Sequence, residues 1–345
     1  MFQQRKMRLA CVMGAALMLA MLFITQAVNM PTAHASQGNI VTPDQFHGVN
    51  WADPRDNFAN DAVVPSGLSV LDNYAVTYAK ARAIIKGFAT NLSANTVRLP
   101  INPYTVNGQF WNAYTGAIKA ATDQGFKVIL SYWEGTGSFQ DGKIDDLTTF
   151  WQMWKTVTNK YHSNKLVYYE PMNEPHGYSD SEWTNIVVQW INNYPLVSRS
   201  QIFVSGAGYN DHVTSVCADS RLDGTFVSLH NYGFWNPNQI SYDAWINDFK
   251  ARIGSCAYRT VVDEWGAPMT SGWDYNGPIN NNGYIAYVQA GTDLMRSWHL
   301  GSVYWPGLRN GDGYSMETLN GSGTDLTLTN NNASGVSRLK HSYGL

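Results

Sequence analysis

The chain has 345 residues, a formal net charge of −3 and only 14% charged residues. That length holds one large domain or two small ones. With so small a net charge and no basic stripe, nucleic acid is excluded as a partner. Aromatic residues make up 13%, with 13 Trp and 20 Tyr. Some must fill a core, but flat rings with a polar handle also suit stacking against the C–H faces of sugars.

The first 35 residues read as a removable leader. A basic start, MFQQRKMR, precedes the apolar run LACVMGAALMLAMLFI (9–24), and AHA (33–35) offers a small-x-small cleavage site. This is the pattern of a secretory signal peptide. The expected mature chain, 36–345, is then a single secreted domain, expected as a monomer. No later run is long and apolar enough to span a membrane, so no membrane partner is expected once the leader is removed. Cys11 falls in the leader. Cys217 and Cys256 remain, either as one disulfide of an exported protein or as two buried thiols. No Cys/His cluster has zinc spacing, so neither metal nor cofactor is expected.

Eight short β-type runs follow in order: FHGVNW (46–51), NTVRLP (95–100), KVILSYW (127–133), KLVYYEPM (165–172), QIFVSG (201–206), TFVSLHNY (225–232), TVVDEW (260–265) and GSVYW (301–305). Helical patterns lie between them at 74–89, 110–125, 147–162, 181–194, 244–254 and 282–298. Strands alternating with helices predict a parallel sheet. Eight such units predict an α/β fold, a (β/α)8 TIM barrel in one domain. An open doubly wound sheet is the rival, but no Gly-rich phosphate loop opens any helix. The Gly/Asn-rich stretch after Trp305 is expected to form a loop over the barrel mouth, followed by a short last helix near SGVSRLKHSYG.

In such a barrel, chemistry gathers at the C-terminal ends of the strands. Those ends carry Arg98, Asn173 and Glu174, His230 and Tyr232, Glu264, and Trp305. Glu174 and Glu264 are three strand steps apart, which places them on facing walls of the mouth. Facing carboxyls, one protonated and one ionised, are the requirement for glycoside hydrolysis. Separation of about 5–5.5 Å gives retention, and about 6.5–9.5 Å gives inversion. The sequence leaves that distance open.

These elements resemble glycoside hydrolase family 5, the cellulase-type family within a clan of retaining (β/α)8 glycosidases. NEP (173–175), preceded by Glu170, is similar to the family's acid/base strand, and VVDEWG (261–266) to its nucleophile strand. HNY (230–232) resembles its His-x-Tyr, VRLPI (97–101) its strand-two arginine, and HGVNW (47–51) its first strand. Trp305 falls where the family has a sugar-stacking tryptophan. The resemblance covers most of residues 45–305 and keeps the family's order. It implies Glu174 as general acid then base, and Glu264 as nucleophile. It implies that Arg98 and Tyr232 hold Glu264, that Asn173 meets the sugar 2-hydroxyl, and that His230 tunes Glu174. One departure is notable. Trp133, in SYWEG (131–135), stands about where the family often has a histidine that grips the sugar.

Several residues carry blander expectations. Glu170 is expected to support the site rather than react. Glu134 is expected as a solvated loop acid, and Asp263 is expected to point outward by strand alternation. Asp53 and Asp56 are read as loop caps. Trp235 and Trp265 are either packing aromatics or sugar platforms. The function this implies is a secreted retaining glycosidase acting on polysaccharide or oligosaccharide, with endo-β-1,4-glucanase first and β-mannanase or an exo-acting β-glycosidase next. A non-catalytic carbohydrate binder on the same barrel is the alternative from another class. FVSGAG (203–208) lacks the first glycine of a serine-hydrolase elbow.

Overall fold

The computed structural model describes residues 41–135 and 140–345. The expected leader, the expected cleavage site and the first residues after it lie outside the described residues, as does 136–139 of the loop after the third strand. Eight parallel strands form the barrel: β1 (His47–Trp51), β2 (Thr96–Ile101), β3 (Lys127–Tyr132), β4 (Val167–Glu170), β5 (Phe203–Ser205), β6 (Phe226–His230), β7 (Thr260–Glu264) and β8 (Gly301–Leu308). They pair in the order β4-β3-β2-β1-β8-β7-β6-β5. A parallel bridge between Tyr169 and Ile202 brings β4 and β5 together and closes the ring.

The helices lie where the period of the apolar residues placed them, at Tyr74–Leu92, Trp111–Asp123, Leu147–Tyr161, Asp180–Asn193, Tyr242–Ile253 and Gly283–Ser297. Their starts are chemically marked. Asn73, Asp146, Ser241 and Asn282 each accept a backbone N–H of the first turn, and Ser179 forms a capping box with Glu182. Such caps satisfy donors that a helix start otherwise leaves unpaired.

Inside the barrel, strand alternation builds layers. Phe46, Ile129, Tyr168, Phe203, Phe226, Val261 and Val303 form an apolar plug. Phe46 meets Tyr168, Phe203 and Phe226 edge-to-face with centroids 5.0, 5.0 and 4.9 Å apart. Two residues further along the strands, the same inward face carries Ser131, Glu170, Ser205, Ser228 and Asp263, all buried. The period of two along a strand therefore corrects the expectation for Asp263. With Val261 in the plug, Asp263 must also point inward, and it is fully buried. Glu264 still reaches the mouth because the register of β6 against β7 shifts after Leu229.

The stretch after β8 departs from the expected loop. Residues 309–314 stay at the mouth, but the chain then forms an antiparallel hairpin, β9 (Glu317–Ser322) and β10 (Asp325–Asn330). The hairpin packs on helix Tyr74–Leu92. Asn91 Nδ2 donates to Glu317 Oε1 at 2.6 Å and to the Leu328 carbonyl at 3.0 Å. Gly87 makes room, since a Cβ there would lie 2.7 Å from Leu328 Cδ1. The alternation of Leu326 and Leu328 with polar residues was the overlooked signal. The expected last helix is present at Ala333–Ser342. A disulfide joins Cys217 to Cys256 across 6.2 Å between Cα atoms. It ties the segment after β5 to the approach to β7, and such a link contributes about 2–4 kcal/mol.

Burial raises the Glu317 carboxyl to about 7, with Asn91 opposing. A carboxyl raised in the folded state contributes stability at acid pH and loses it as pH rises. Hydrogen exchange of the hairpin amides, corrected for the intrinsic rate, should therefore be faster at pH 8 than at pH 5. Glu317→Gln, neutral at both, should abolish that difference.

Candidate active site

The C-terminal ends of the strands surround a cleft of about 490 Å³, lined by Glu174, Glu264, Tyr232, Trp133 and Trp305 among others. Its floor is organised by Arg98, which was expected at the end of β2 but lies within it, and is 1% exposed. All five guanidinium N–H groups find acceptors. Nε donates to Glu170 Oε2 at 2.6 Å. Nη1 donates to Asn50 Oδ1 at 3.0 Å and to Glu264 Oε1. Nη2 donates to Ser131 Oγ at 3.1 Å and to Asn173 Oδ1 at 2.8 Å. A planar fork with five fixed donors is thus matched one for one. Asp263 Oδ2 also lies 3.6 Å from Nε.

Glu264 is held at both oxygens, because Tyr232 donates its hydroxyl to Oε2 at 2.9 Å. Glu174 has a different setting. Its Oε1 meets His230 Nδ1 at 2.9 Å, and among the described residues no Lys or Arg forms an ion pair with it. Its backbone sits at φ 47°, a conformation that strains a non-glycine residue by about 1–3 kcal/mol. One carboxylate oxygen of each glutamate and one ring nitrogen of His230 lie within 4.8 Å of one another.

Electrostatics separates the pair. Burial pushes both carboxyls up. For Glu264, Arg98 and then Tyr232 pull back down. For Glu174 the main addition to burial is the charge of Glu264, so its carboxyl stands well above the usual range. Glu174 is therefore the more proton-retaining member. His230 is driven well below its ordinary value by burial and then by Arg98, so the ring is neutral.

Other residues fall into place around this centre. Asn173 is buried, and its Nδ2 has no partner among the described residues, leaving a donor free beside the pair. Trp133 and Trp305 stack with centroids 5.5 Å apart and an interplanar angle of 19°. Phe58 closes edge-on against Trp133 at 4.8 Å. The cleft is also bordered by Asp56, Arg309 and Asp312, with Arg309 Nη1 at 3.0 Å from Asp312 and Nη2 at 3.5 Å from Asp56. Asp53 instead binds Arg55 and the Val64 N–H within its own loop.

Trp265 packs on Tyr304 and donates to Ser302 Oγ. Trp235 lies edge-on to Tyr232 and under the Arg252 guanidinium. Glu170 sits below the pair, bound by Arg98 and reached by Ser205 and Ser228. Glu134 departs from the solvated acid expected. It is 2% exposed, with burial first and Asp145 next raising its carboxyl to about 7.

The sequence reading missed Asn50, Ser131, Ser228 and Asn210, which pack beneath or beside the ionisable groups. The signal was present in the inward alternation of β3 and β6, where Ser131 follows Ile129 and Ser228 follows Phe226 by two. Asn210, on a short turn after β5, left no such pattern. Two triads could offer atoms to a cation, Glu170–His230–Asp263 and Glu174–His230–Glu264. Arg98 already supplies the positive charge to Glu170, Asp263 and Glu264.

A barrel with two facing carboxyls of unequal proton affinity at its mouth defines the class of O-glycosyl hydrolases. The particular family follows from comparison: the model of Cellulase (glycosyl hydrolase family 5) matches residues 63–308, and the chain belongs to that family. Its fold is similar to the catalytic domain of the major endoglucanase of Xanthomonas campestris pv. campestris, with TM-score 0.63 and 15% identity over 90% of this chain and 97% of that one. It is also similar to an endocellulase of Pyrococcus horikoshii in complex with cellotetraose, with TM-score 0.59 and 16% identity over 86% and 92%. Cel5A (EG2) of Hypocrea jecorina (Trichoderma reesei) gives TM-score 0.56 and 18% identity over 85% and 97%. No curated protein sequence matches the chain.

Removing one partner from a buried ion pair leaves an uncompensated charge and costs about 3–5 kcal/mol. Arg98→Met should therefore lower stability by about that amount in denaturant titration. Arg98→Lys should recover only part of it, since an ammonium cannot reproduce the five-donor fork.

Proposed function

We propose that this chain is a secreted retaining endo-β-1,4-glucanase that cleaves β-glycosidic bonds by a two-glutamate double displacement. The observation that carries the reading is the approach of the Glu174 and Glu264 carboxylate oxygens to within 4.8 Å. That supports retention, since the pair in retaining enzymes stands about 5–5.5 Å apart and inversion needs about 6.5–9.5 Å. In the first step Glu264 attacks the anomeric carbon and forms a glycosyl-enzyme ester. Glu174 gives its proton to the departing glycosidic oxygen. In the second step Glu174, now ionised, takes a proton from water, which attacks the same carbon and releases Glu264. In this reading Asn173 Nδ2, without a partner among the described residues, donates to the sugar 2-hydroxyl, a contact that strengthens as positive charge develops.

Secretion is supported by the leader pattern and by the disulfide, which suits an oxidising compartment. The β-1,4-glucan substrate is supported by family membership and by the aromatic walls of the cleft. A second reading, exo action of the same chemistry, is favoured by one observation. Stacked Trp133 and Trp305, with the Asp56–Arg309–Asp312 group, border the cleft and leave no gap for a ring between the two indoles.

Product analysis on a panel of β-glucans, mannan and aryl glycosides decides among these. The mature protein should release short cello-oligosaccharides from β-1,4-glucan, with the newly formed reducing ends appearing first as the β-anomer in proton NMR. Release of single sugars or disaccharides alone would move the reading to an exo enzyme, and first appearance of the α-anomer would exclude retention. Glu264→Gln should lose at least ~10³-fold in kcat while still binding oligosaccharide; a binding protein would be indifferent to it.

The pH profile of kcat/KM should be bell-shaped, its acid limb reporting loss of the ionised nucleophile and its basic limb loss of the proton on the acid. Burial raises both carboxyls, so both limbs should lie above the ordinary carboxylate range. Glu174→Ala should abolish the basic limb.

A further inference from the structure

We infer that Asn210 is a positioning residue, which fixes His230 as the Nδ1–H tautomer and thereby leaves the proton of Glu174 on Oε2. The tautomer follows from contacts alone. Its catalytic consequence rests on the glycosidase reading above.

Asn210 is fully buried, in left-handed backbone at φ 54°, which asparagine tolerates. Its Oδ1 accepts the backbone N–H of Glu174 at 3.0 Å. That contact settles which end of the amide is oxygen, so Nδ2 must face the other way. There it lies 2.7 Å from Ser228 Oγ, 3.3 Å from His230 Nε2 and 3.4 Å from Glu170 Oε1. An amide nitrogen can only donate. Its two N–H groups face these three atoms, so a proton on Nε2 would be set against a donor; Nε2 is left to accept, and the neutral ring carries its proton on Nδ1.

The other groups facing the ring agree. Asp263 Oδ1 lies 3.5 Å from Nε2, too far to compete as a well-formed acceptor. It is engaged instead with Ser228 Oγ at 2.5 Å. Arg98 opposes a charged ring. On the other side, Nδ1 lies 2.9 Å from Glu174 Oε1 and 3.5 Å from Glu264 Oε2. The Nδ1–H thus points at Glu174 Oε1. An oxygen that accepts this bond does not carry the acid proton, which falls to Oε2, the oxygen left for the leaving group. Once the proton has gone, the same N–H stabilises the carboxylate. One amide thereby holds the strained Glu174 backbone from one end and the ring that orients its side chain from the other.

The test has two readouts. In protein labelled with ¹⁵N-histidine, long-range proton–nitrogen correlation reports the tautomer, with His230 assigned by the signal lost in His230→Asn. The parent should show Nε2 unprotonated. Asn210→Asp, which sets an acceptor against Nε2, should move the proton to Nε2 or charge the ring. A protonated Nε2 in the parent, or an unchanged ring in Asn210→Asp, overturns the inference whatever the activity.

The second readout is leaving-group dependence. Asn210→Ala should lower kcat/KM about 10–100-fold on phenyl cellobioside, part of the ~10²–10⁴ that a positioned acid contributes. On dinitrophenyl cellobioside, whose leaving group needs no proton, the loss should stay under about 3-fold. An equal loss on both, or no loss on either, overturns the positioning role. A parent chain silent on both glycosides overturns the glycosidase reading, and the tautomer is then judged by the spectra alone.

Discussion

The structure depends on one buried cation. Arg98 enters from β2 and spends its five donors on groups delivered by β1, β3, the end of β4 and the end of β7. A guanidinium taken out of water is tolerated only where its charge and its hydrogen bonds are both answered. Answering it requires Asn50, Ser131, Glu170, Asn173 and Glu264 to converge on one plane. They come from four strands, with Glu170 and Asn173 both at the end of β4, so the fork constrains how the strand ends meet as well as the local chemistry. The apolar plug beneath supplies the driving force of burial, while Arg98 specifies which arrangement of the mouth is acceptable.

The same cation makes the two mouth glutamates unequal. Glu264 is buried and Glu174 partly so, and desolvation alone raises both carboxyls. Glu264 receives a charge-assisted bond from Arg98 and a hydroxyl from Tyr232. Among the described residues, the Glu174 carboxyl receives the neutral ring of His230 alone. Two identical side chains are thereby given unequal hold on a proton by their neighbours. The strained backbone of Glu174 belongs to the same arrangement, because Asn210 holds its N–H in place.

Much of this was legible in the chain. Eight apolar runs and six helical periods gave the barrel, since strands and helices differ in repeat and their alternation leaves few topologies. The strand ends gave Glu174, Glu264, Arg98, His230 and Tyr232, and these do meet at one cleft. The errors have physical causes. Asp263 was sent outward by counting back from Glu264, whereas a register shift between β6 and β7 breaks that count. Glu134, expected as a solvated loop acid, is 2% exposed, because burial depends on tertiary neighbours rather than on the residues beside it in the chain. The segment 317–330 was read as loop because the whole stretch after Trp305 is polar and rich in Gly and Asn, although Leu326 and Leu328 alternate with polar residues as a strand requires.

The sequence by itself determined the periodicities, the order of the ionisable groups and the family likeness, because these depend only on which residue follows which. It also contained the inward polar layer, through the period of two that places Ser131, Glu170, Ser228 and Asp263 above the plug. Only the tertiary structure decided the separation of Glu174 from Glu264, the sharing of Arg98 among three carboxylates, the stacking of Trp133 on Trp305 and the orientation of the Asn210 amide. Those are relations between strands distant in sequence. Barrel closure and the register of neighbouring strands set them, and no local pattern encodes a distance across a barrel.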